Sequence, residues 1–154
     1  MIVPCTSIEQ PGWVELRRAL WPRCTEAEHQ AEMKSACSNF TRLRAFVAHD
    51  DNGQPIGLIE ASLRSDYVNG THSSPVGFIE GVYVSPSARL RGVARALVET
   101  AEAWARANGC VEMASDARIE NESAHAMHRA LGFVETGRAV YFCKELTARD
   151  GHDV

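Results

Sequence analysis

The chain has no apolar run that approaches the roughly 20 residues needed to span a bilayer. Residues 1–5 lack the charged and apolar regions of a signal peptide. Basic residues are not in excess either, since 16 lysines and arginines stand against 20 aspartates and glutamates. Nucleic-acid binding would favour a basic face, which this composition does not offer. We therefore expect a cytoplasmic protein with neither a membrane nor a nucleic acid as partner.

Cysteine occurs only five times, an odd number, and the residues are widely scattered. There is no C-x-x-C pair and no Cys/His cluster with the spacing of zinc ligands. A disulfide framework and a structural metal site are therefore not expected, and no metal is predicted. We expect five reduced thiols, at Cys5, Cys24, Cys37, Cys110 and Cys143.

The composition that is present fits one globular domain. The 154 residues are 45% hydrophobic and 23% charged, which is enough to bury a core without covalent links. No internal repeat, low-complexity tract or linker divides the chain. We predict a single domain over residues 1–146 and a polar, frayed tail over 147–154.

Periodicity and turn residues predict an α/β (α+β) order of elements. Helices are predicted over 11–21 and 26–37, the second after a capping box that begins at Thr25. Strands over 44–49 and 56–63 flank an Asn52-Gly53 turn, and a further strand covers 76–84. A helix from Val93 that ends at Gly109, a strand over 111–114, a helix capped by Asn121 and one or two strands over 133–146 complete the order.

The stretch from 82 to 97 carries the clearest chemistry. A buried strand passes through a short loop into a helix, and Gly92 lies near the start of that helix. The open N–H groups and the dipole of a helix N-terminus suit a pyrophosphate, and nearby arginines add positive charge. The loop is neither a Walker A loop nor a G-x-G-x-x-G turn. A basic loop that only caps a helix is the alternative.

Two motifs resemble those of the GCN5-related N-acetyltransferase (GNAT) superfamily. Arg89, Gly92 and Ala94 match its acetyl-CoA loop, Gln/Arg-x-x-Gly-x-Gly/Ala. Downstream, the Asn-x-x-Ala…Leu-Gly-Phe pattern is matched by Asn121, Ala124 and residues 131–133. The resemblance implies a mixed central β-sheet with splayed strands and flanking helices, and acetyl-CoA as co-substrate.

Within that superfamily the chain resembles the bacterial aminoglycoside 6′-N-acetyltransferases over about residues 10–146. The blocks that carry this resemblance are 20–22, 66–70, 73–75, 80–81, 91–94 and 112–116. The resemblance implies acetylation of the 6′-amino group of a cationic aminoglycoside, antibiotic resistance, and a homodimer formed through the C-terminal strands. It also implies an aminoglycoside site lined by Trp21, Tyr67, Glu80 and Asp116. The acetyl-CoA contacts implied are Val82, Tyr83, Val84, Leu90, Arg91, Gly92, Val93, Ala94, Arg95 and Asn121.

Residue chemistry is consistent with such a site, because a polycation calls for converging carboxylates. Glu80 lies in the strand that leads to the phosphate loop, and Asp116 follows the next strand. Asp66 and Tyr67 lie in a long loop expected to fold over the site. We expect direct attack of the amine on the thioester, with Glu80 as the first candidate for proton acceptor and Asp116 as the second. A solvated surface position is the alternative for each carboxylate.

The sequence departs from the family pattern at two places. His128 stands where many members hold a tyrosine as general acid, with Tyr83 and Tyr141 as other candidates. Gly137 stands where the closest subgroup has a substrate-contacting glutamate. An acetyltransferase for another amine, such as a polyamine or peptide, and a non-catalytic acyl-CoA-binding module therefore stay open.

The run 139–143 fits either an edge that pairs with another chain or an internal strand.

Overall fold

The computed structural model describes residues 1–147. All but the first residue of the predicted tail, 147–154, lies outside the described residues. The elements are β1 (Ile2–Pro4), α1 (Trp13–Leu20), α2 (Glu26–Ser38), β2 (Leu43–His49), β3 (Pro55–Arg64), β4 (Val76–Val84), a 3₁₀ turn (Pro86–Ala88), α3 (Val93–Ala107), β5 (Met113–Ser115) and α4 (Glu122–Ala130).

The five strands form one mixed sheet in the order β1-β2-β3-β4-β5. The first four strands are antiparallel, and β5 runs parallel to β4. The parallel pairing covers only Gly77–Ile79 against Met113–Ser115, although β4 continues to Val84. The two strands therefore separate after Ile79 and Ser115, which is the splay that the resemblance implied. The mixed α/β fold is confirmed.

Hydrophobic cores cover both faces of the sheet. On β2 and β3, neighbouring residues point to opposite faces, so Val47 and Leu58 pack with Trp13 of α1, while Phe46 and Ile59 belong to the other core. That second core includes Leu97, Val98 and Ala101, which recur on one side of α3. Burial on both faces explains why β2 and β3 read as nearly continuous apolar runs.

Three element predictions need correction. β1 was not predicted, because three residues give no measurable periodicity; it pairs with Phe46–Ala48 of β2. β5 begins at Met113 rather than at Val111, which is exposed.

The strands predicted over 133–146 are absent from the described part of the chain. A strand requires a partner edge, and residues 134–147 pair with no strand of the described sheet. The large apolar side chains of this segment are at least 74% exposed: Val134, Val140, Tyr141, Phe142 and Leu146. An internal strand over 139–143 is therefore wrong for the single chain.

Among residues 1–147, no helix combines the length and the apolar character that a membrane crossing requires.

Candidate active site

The turn between β4 and α3 has the open backbone that an anionic group needs. Leu90 and Gly92 adopt left-handed conformations, with φ of 61° and 79°, and α3 begins directly afterwards at Val93. No side chain caps this helix N-terminus, so its first N–H groups keep their hydrogen-bonding capacity. A Cβ at Gly92 would meet no atom within 4 Å, so the glycine faces open space. The predicted phosphate loop is therefore exposed and accessible.

Three arginines surround this turn. Arg89 donates to the carbonyl of Val84 at 2.9 Å and lies over the ring of Tyr83, while Arg95 donates to the carbonyl of Ala130 at 2.9 Å. Arg91 is exposed. Open N–H groups, an unobstructed glycine and positive charge together fit the pyrophosphate of a CoA molecule. Ala94 lies in the first turn of α3.

The end of β4 leads from the sheet to this turn. On the β5 side, Val82, Tyr83 and Val84 have no partner strand in the described sheet, while β3 pairs with them on the other side. The side chains of Val82 and Val84 pack against the α3 core, and that of Tyr83 against the α1 core. The backbone of this segment therefore lines the splay while its side chains fix its position.

Glu80 lies at an irregularity of β4. Glu60 pairs with Gly81 and Ala61 pairs with Ile79, so Glu80 is the extra residue of a β-bulge. The carboxylate is held from β3: Ser62 Oγ donates to Oε1 at 2.6 Å, and Arg64 Nη2 donates to both oxygens at 2.9 and 3.1 Å. Neither contact was predicted, because both depend on where the bulge falls.

A cavity of about 380 Å³ brings Glu80 together with Trp21. The indole lies over the backbone of Gly81, where a Cβ would come within 2.5 Å of the ring. Glycine at this position is therefore required by the packing of the indole. Glu32, Glu60 and Arg44 line the same cavity, so its lining contains three carboxylates and one guanidinium.

Behind this cavity lies a buried polar network that sequence reasoning missed. Arg17 is 1% exposed and donates to Glu60 at 2.5 Å, to Glu32 and to His29 Nδ1 at 3.2 Å. Its guanidinium lies 4.7 Å from the centre of the Trp21 ring. Two features of the sequence could have indicated this network. Arg17 is a charged residue on the apolar side of α1, and Glu60 is a glutamate inside the apolar run of β3.

A larger cleft of about 1380 Å³ brings Tyr67 together with Asp116. Ile79 of β4 and Ser115 of β5 form the last pair of these two strands. Glu80 directly follows Ile79 and Asp116 directly follows Ser115, so each carboxylate lies one residue beyond the end of the pairing. β4 and β5 are neighbours in the sheet, an arrangement that the sequence analysis left open. The side chains, however, line different cavities, Glu80 beside Trp21 and Asp116 beside Tyr67.

The loop that carries Tyr67 is tied to β5. Glu112 accepts hydrogen bonds from the hydroxyl of Ser73 and from the backbone N–H of His72, the latter at 2.8 Å. The Ser73 hydroxyl, followed by the His72 amide, lowers the pKa of Glu112 below its usual 4.5. Asp66, in the same loop, is exposed and lines neither cavity; its role in substrate binding stays a prediction.

His128 lies in the larger cleft with both ring nitrogens engaged. Nδ1 lies 2.6 Å from the carbonyl of Ala124, which only accepts, so Nδ1 carries a proton. Nε2 lies 2.8 Å from Ser115 Oγ and accepts from that hydroxyl when the imidazole is neutral. None of these contacts tests the general-acid hypothesis, which stays a prediction.

Asn121, Cys110 and Gly137 were also named from the sequence. Asn121 caps α4, because its side chain accepts from the N–H of Ala124 at 3.2 Å. Burial raises the pKa of the Cys110 thiol, so this cysteine is a poor nucleophile for a covalent route. Gly137 is exposed and lies in the segment after α4.

Comparison with known proteins agrees with this geometry. The model of the acetyltransferase (GNAT) family matches residues 13–133. An aminoglycoside N(6′)-acetyltransferase type 1 of Acinetobacter genomosp. 13 is 47% identical, over 94% of this chain and 98% of its own length.

Two solved structures give the same result. AAC(6′)-Iy in complex with a CoA–acetylneamine bisubstrate analogue has a TM-score of 0.89 and 40% identity, covering 95% of this chain and 98% of that one. The apo enzyme AAC(6′)-IG of Acinetobacter haemolyticus has a TM-score of 0.88 and 45% identity, covering 96% and 99%. The predicted enzyme class and acetyl-CoA as co-substrate are confirmed, and the chain belongs to the GNAT acetyltransferase family, among the aminoglycoside 6′-N-acetyltransferases.

Proposed function

We propose that this enzyme acetylates the 6′-amino group of aminoglycoside antibiotics by direct attack of the amine on the thioester, and that it confers resistance in the cytoplasm, where acetyl-CoA is available. The splay between β4 and β5 carries the proposal. Glu80 and Asp116 each lie one residue beyond the last pair of the two strands. They precede the part of β4, Val82–Val84, that has no partner on the β5 side and that leads to the open turn at Gly92.

The residues from Leu90 to Arg95 hold the co-substrate by its pyrophosphate. Open N–H groups at the start of α3 and the charges of Arg91 and Arg95 face the anionic oxygens. Asn121 lies at the start of α4 and adds a further contact to the co-substrate. When bound, acetyl-CoA supplies an activated acetyl group as a thioester.

The acceptor amine is bound by carboxylates and aromatic faces. Glu80 with Trp21 and Asp116 with Tyr67 present negative charge and ring surface on either side of the splay. Each charge-assisted hydrogen bond to an ammonium contributes about 1.5–3 kcal/mol. Asp66, exposed in the loop that carries Tyr67, adds negative charge beside this ring.

Proton removal from the amine falls to Glu80 first and Asp116 second. An aliphatic ammonium has a pKa near that of lysine, about 10, so the attacking nitrogen requires an acceptor for its proton. Backbone N–H groups of Val82–Val84 on the open side of β4 stabilise the negative charge that develops on the carbonyl oxygen as the N–C bond forms. The C–S bond then breaks and CoA leaves as a thiolate, a good leaving group because a free thiol has a pKa of about 8.5. No cysteine is needed, consistent with the buried thiol of Cys110.

We also propose that the enzyme is a homodimer. The outer edge of β5 has no partner in the described sheet, and residues 134–147 extend with exposed apolar side chains. In a dimer, the apolar segment of each chain pairs with the open β5 edge of the other chain, so that both are covered.

Glu80→Gln tests the site. The change removes the negative charge and the proton acceptor while keeping the shape, so we expect kcat/KM for an aminoglycoside to fall about a hundredfold. Calorimetry should give a Kd for acetyl-CoA within about twofold of wild type, because the phosphate turn is unaffected. Glu99→Gln, on the exposed side of α3, is the matched control and should leave both constants unchanged. Wild-type kcat/KM in Glu80→Gln would remove Glu80 from the mechanism.

Resistance is tested by expressing the gene in a susceptible bacterium. The minimal inhibitory concentration should rise for aminoglycosides with a 6′-amine and not for those without one. Equal concentrations with and without the gene would contradict a role in resistance.

A further inference from the structure

We propose that Arg64 is a positioning residue for the acetyl transfer, which orients the Glu80 carboxylate toward the acceptor amine. The inference rests on the proposed role of Glu80 and adds to it a residue that the motifs did not indicate. It follows from the contacts that link the end of β3 to the bulge of β4.

The register of the two strands makes this contact possible. Ser62 and Arg64 are two residues apart on β3 and therefore point to the same face. They pair with Phe78 and Val76, and both side chains reach along β4 to Glu80. The bulge supplies the extra residue that places Glu80 within reach of both.

The guanidinium of Arg64 is itself fixed. Its central carbon lies 3.5 Å from the centre of the Phe78 ring, and Phe78 is buried. Stacking on an immobile ring restricts a side chain that otherwise has many rotamers. Arg64 is therefore a rigid donor, although its side chain is 43% exposed.

The contacts leave one defined acceptor direction on Glu80. An ionised carboxylate has about four lone-pair sites, two on each oxygen. Oε1 accepts from Ser62 and from Arg64, whereas Oε2 accepts only the longer, 3.1 Å contact from Arg64. One site on Oε2 is left for an N–H of the acceptor amine. Ser62 and Arg64 thus determine which oxygen receives the substrate.

The charge of Arg64 argues for orientation rather than attraction. A positive group beside a site for a polycation opposes binding, so substrate affinity does not explain its presence. Arg64 also lines the cleft of Tyr67 and Asp116, while Glu80 lines the cavity of Trp21. The ion pair therefore joins the two halves of the acceptor site and fixes their relative position.

Arg64→Gln tests the proposal. We expect kcat with an aminoglycoside to fall about tenfold, with KM for acetyl-CoA within about twofold of wild type, because only the amine is misplaced. Arg64→Lys should give a kcat between the two, since an ammonium can pair with Glu80 but cannot stack flat on Phe78. Arg18→Gln breaks a comparable exposed Arg–Glu pair outside both cavities and is the matched control. An unchanged kcat in Arg64→Gln overturns the proposal.

The double variant Arg64→Gln with Glu80→Gln separates positioning from a structural effect. If Arg64 acts through Glu80, adding Arg64→Gln to Glu80→Gln lowers kcat by less than about twofold. A further fall of about tenfold in that background shows an independent effect and overturns the proposal.

Failure of the inference and failure of the proposed function give different results. An active wild type with an unaffected Arg64→Gln variant contradicts only the role of Arg64. A wild type without activity on aminoglycosides contradicts the proposed function, and this inference with it. If Arg64→Gln does not fold, as judged by circular dichroism, Arg64→Lys takes its place, and a kcat equal to that of the wild type would again contradict the proposal.

Discussion

Two left-handed glycines separate a backbone requirement from a proposed role in binding. Gly92 and Gly109 have φ of 79° and 86°, and an added Cβ would meet no protein atom within 4 Å at either position. The two residues lie at opposite ends of α3: Gly92 precedes the helix at the proposed phosphate turn, whereas Gly109 follows its C-terminal end. Their backbone requirements are therefore alike, and only Gly92 faces the proposed pyrophosphate.

Gly92→Val is expected to raise the Kd for acetyl-CoA about tenfold or more, because a branched side chain blocks the approach of phosphate to the backbone. Gly109→Val is the matched control, since it carries the same strain of about 1 kcal/mol without touching the turn. Calorimetric titration with acetyl-CoA measures both. Equal Kd values for the two variants would show that the phosphate turn is misplaced.

Single residues also mark the limit of sequence reasoning. Gly92, Asn121 and the carboxylates at 80 and 116 were predicted from motifs with fixed spacing, and their roles stay predictions. The contact of Arg17 with Glu60 was not predicted, because it joins α1 to a strand residue 43 positions away. The contact of Arg64 with Glu80 was not predicted, because it depends on the bulge of β4. The bulge at Glu80 shifts the register by one residue, and no local pattern in the sequence determines where such a shift occurs.

Among the helices and strands, α2 and β4 have the positions that local sequence signals predicted. The capping box at Thr25 is present, and α2 begins at the next residue. β4 has the predicted bounds because its apolar run ends at Pro86. The C-terminal strands were predicted from the same kind of run, but a strand also needs an edge to pair with, which composition does not reveal.

The loop between β3 and β4 depends on Glu112. Hydrogen bonds to the ionised form of Glu112 lower its pKa in the folded state. They therefore stabilise the docked loop at pH values above 4.5, the usual pKa of this group. This stabilisation is lost as the pH falls from 4.5 through the lower pKa of the docked state. The loop carries Tyr67 and therefore links this contact to the acceptor site.

Glu112→Gln should reduce the hydrogen-exchange protection of the His72 amide and its loop neighbours about threefold at pH 7. Wild-type protection factors, corrected for the intrinsic pH dependence of exchange, should stay constant from neutral pH to about 5 and fall below about 4.5. Glu120→Gln, an exposed glutamate paired with Arg118, should change nothing in this loop. A wild-type loop equally protected at pH 3 and 7 would contradict this role of Glu112.

In the part of the molecule that the structure describes, the outer edge of β5 has no partner strand and residues 134–147 pair with no strand. Tyr141 lines the cleft that holds Asp116 and His128, and the rings of Tyr141 and Phe142 are both exposed. A specific interface buries about 1,200 Å² or more in total, which an extended segment exchanged between two chains can supply.

Light scattering during gel filtration should give the wild-type enzyme a mass twice the 16.9 kDa of one chain. Phe142→Asp should shift the mass to that of one chain, because a carboxylate cannot be buried unpaired in an interface. Phe40→Asp, at an exposed aromatic residue outside the C-terminal segment, should remain a dimer. A monomeric wild type, or a dimeric Phe142→Asp variant, would contradict the proposed assembly.

The most direct test of the account is thiol release from acetyl-CoA with a matched pair of aminoglycosides. One carries an amino group at the 6′ carbon and the other carries a hydroxyl there. We predict release with the 6′-amino compound only. Equal release with both would place the acetyl group on another amine, and no release with either, while acetyl-CoA still binds, would contradict aminoglycoside acetylation and favour another acceptor or a non-catalytic module.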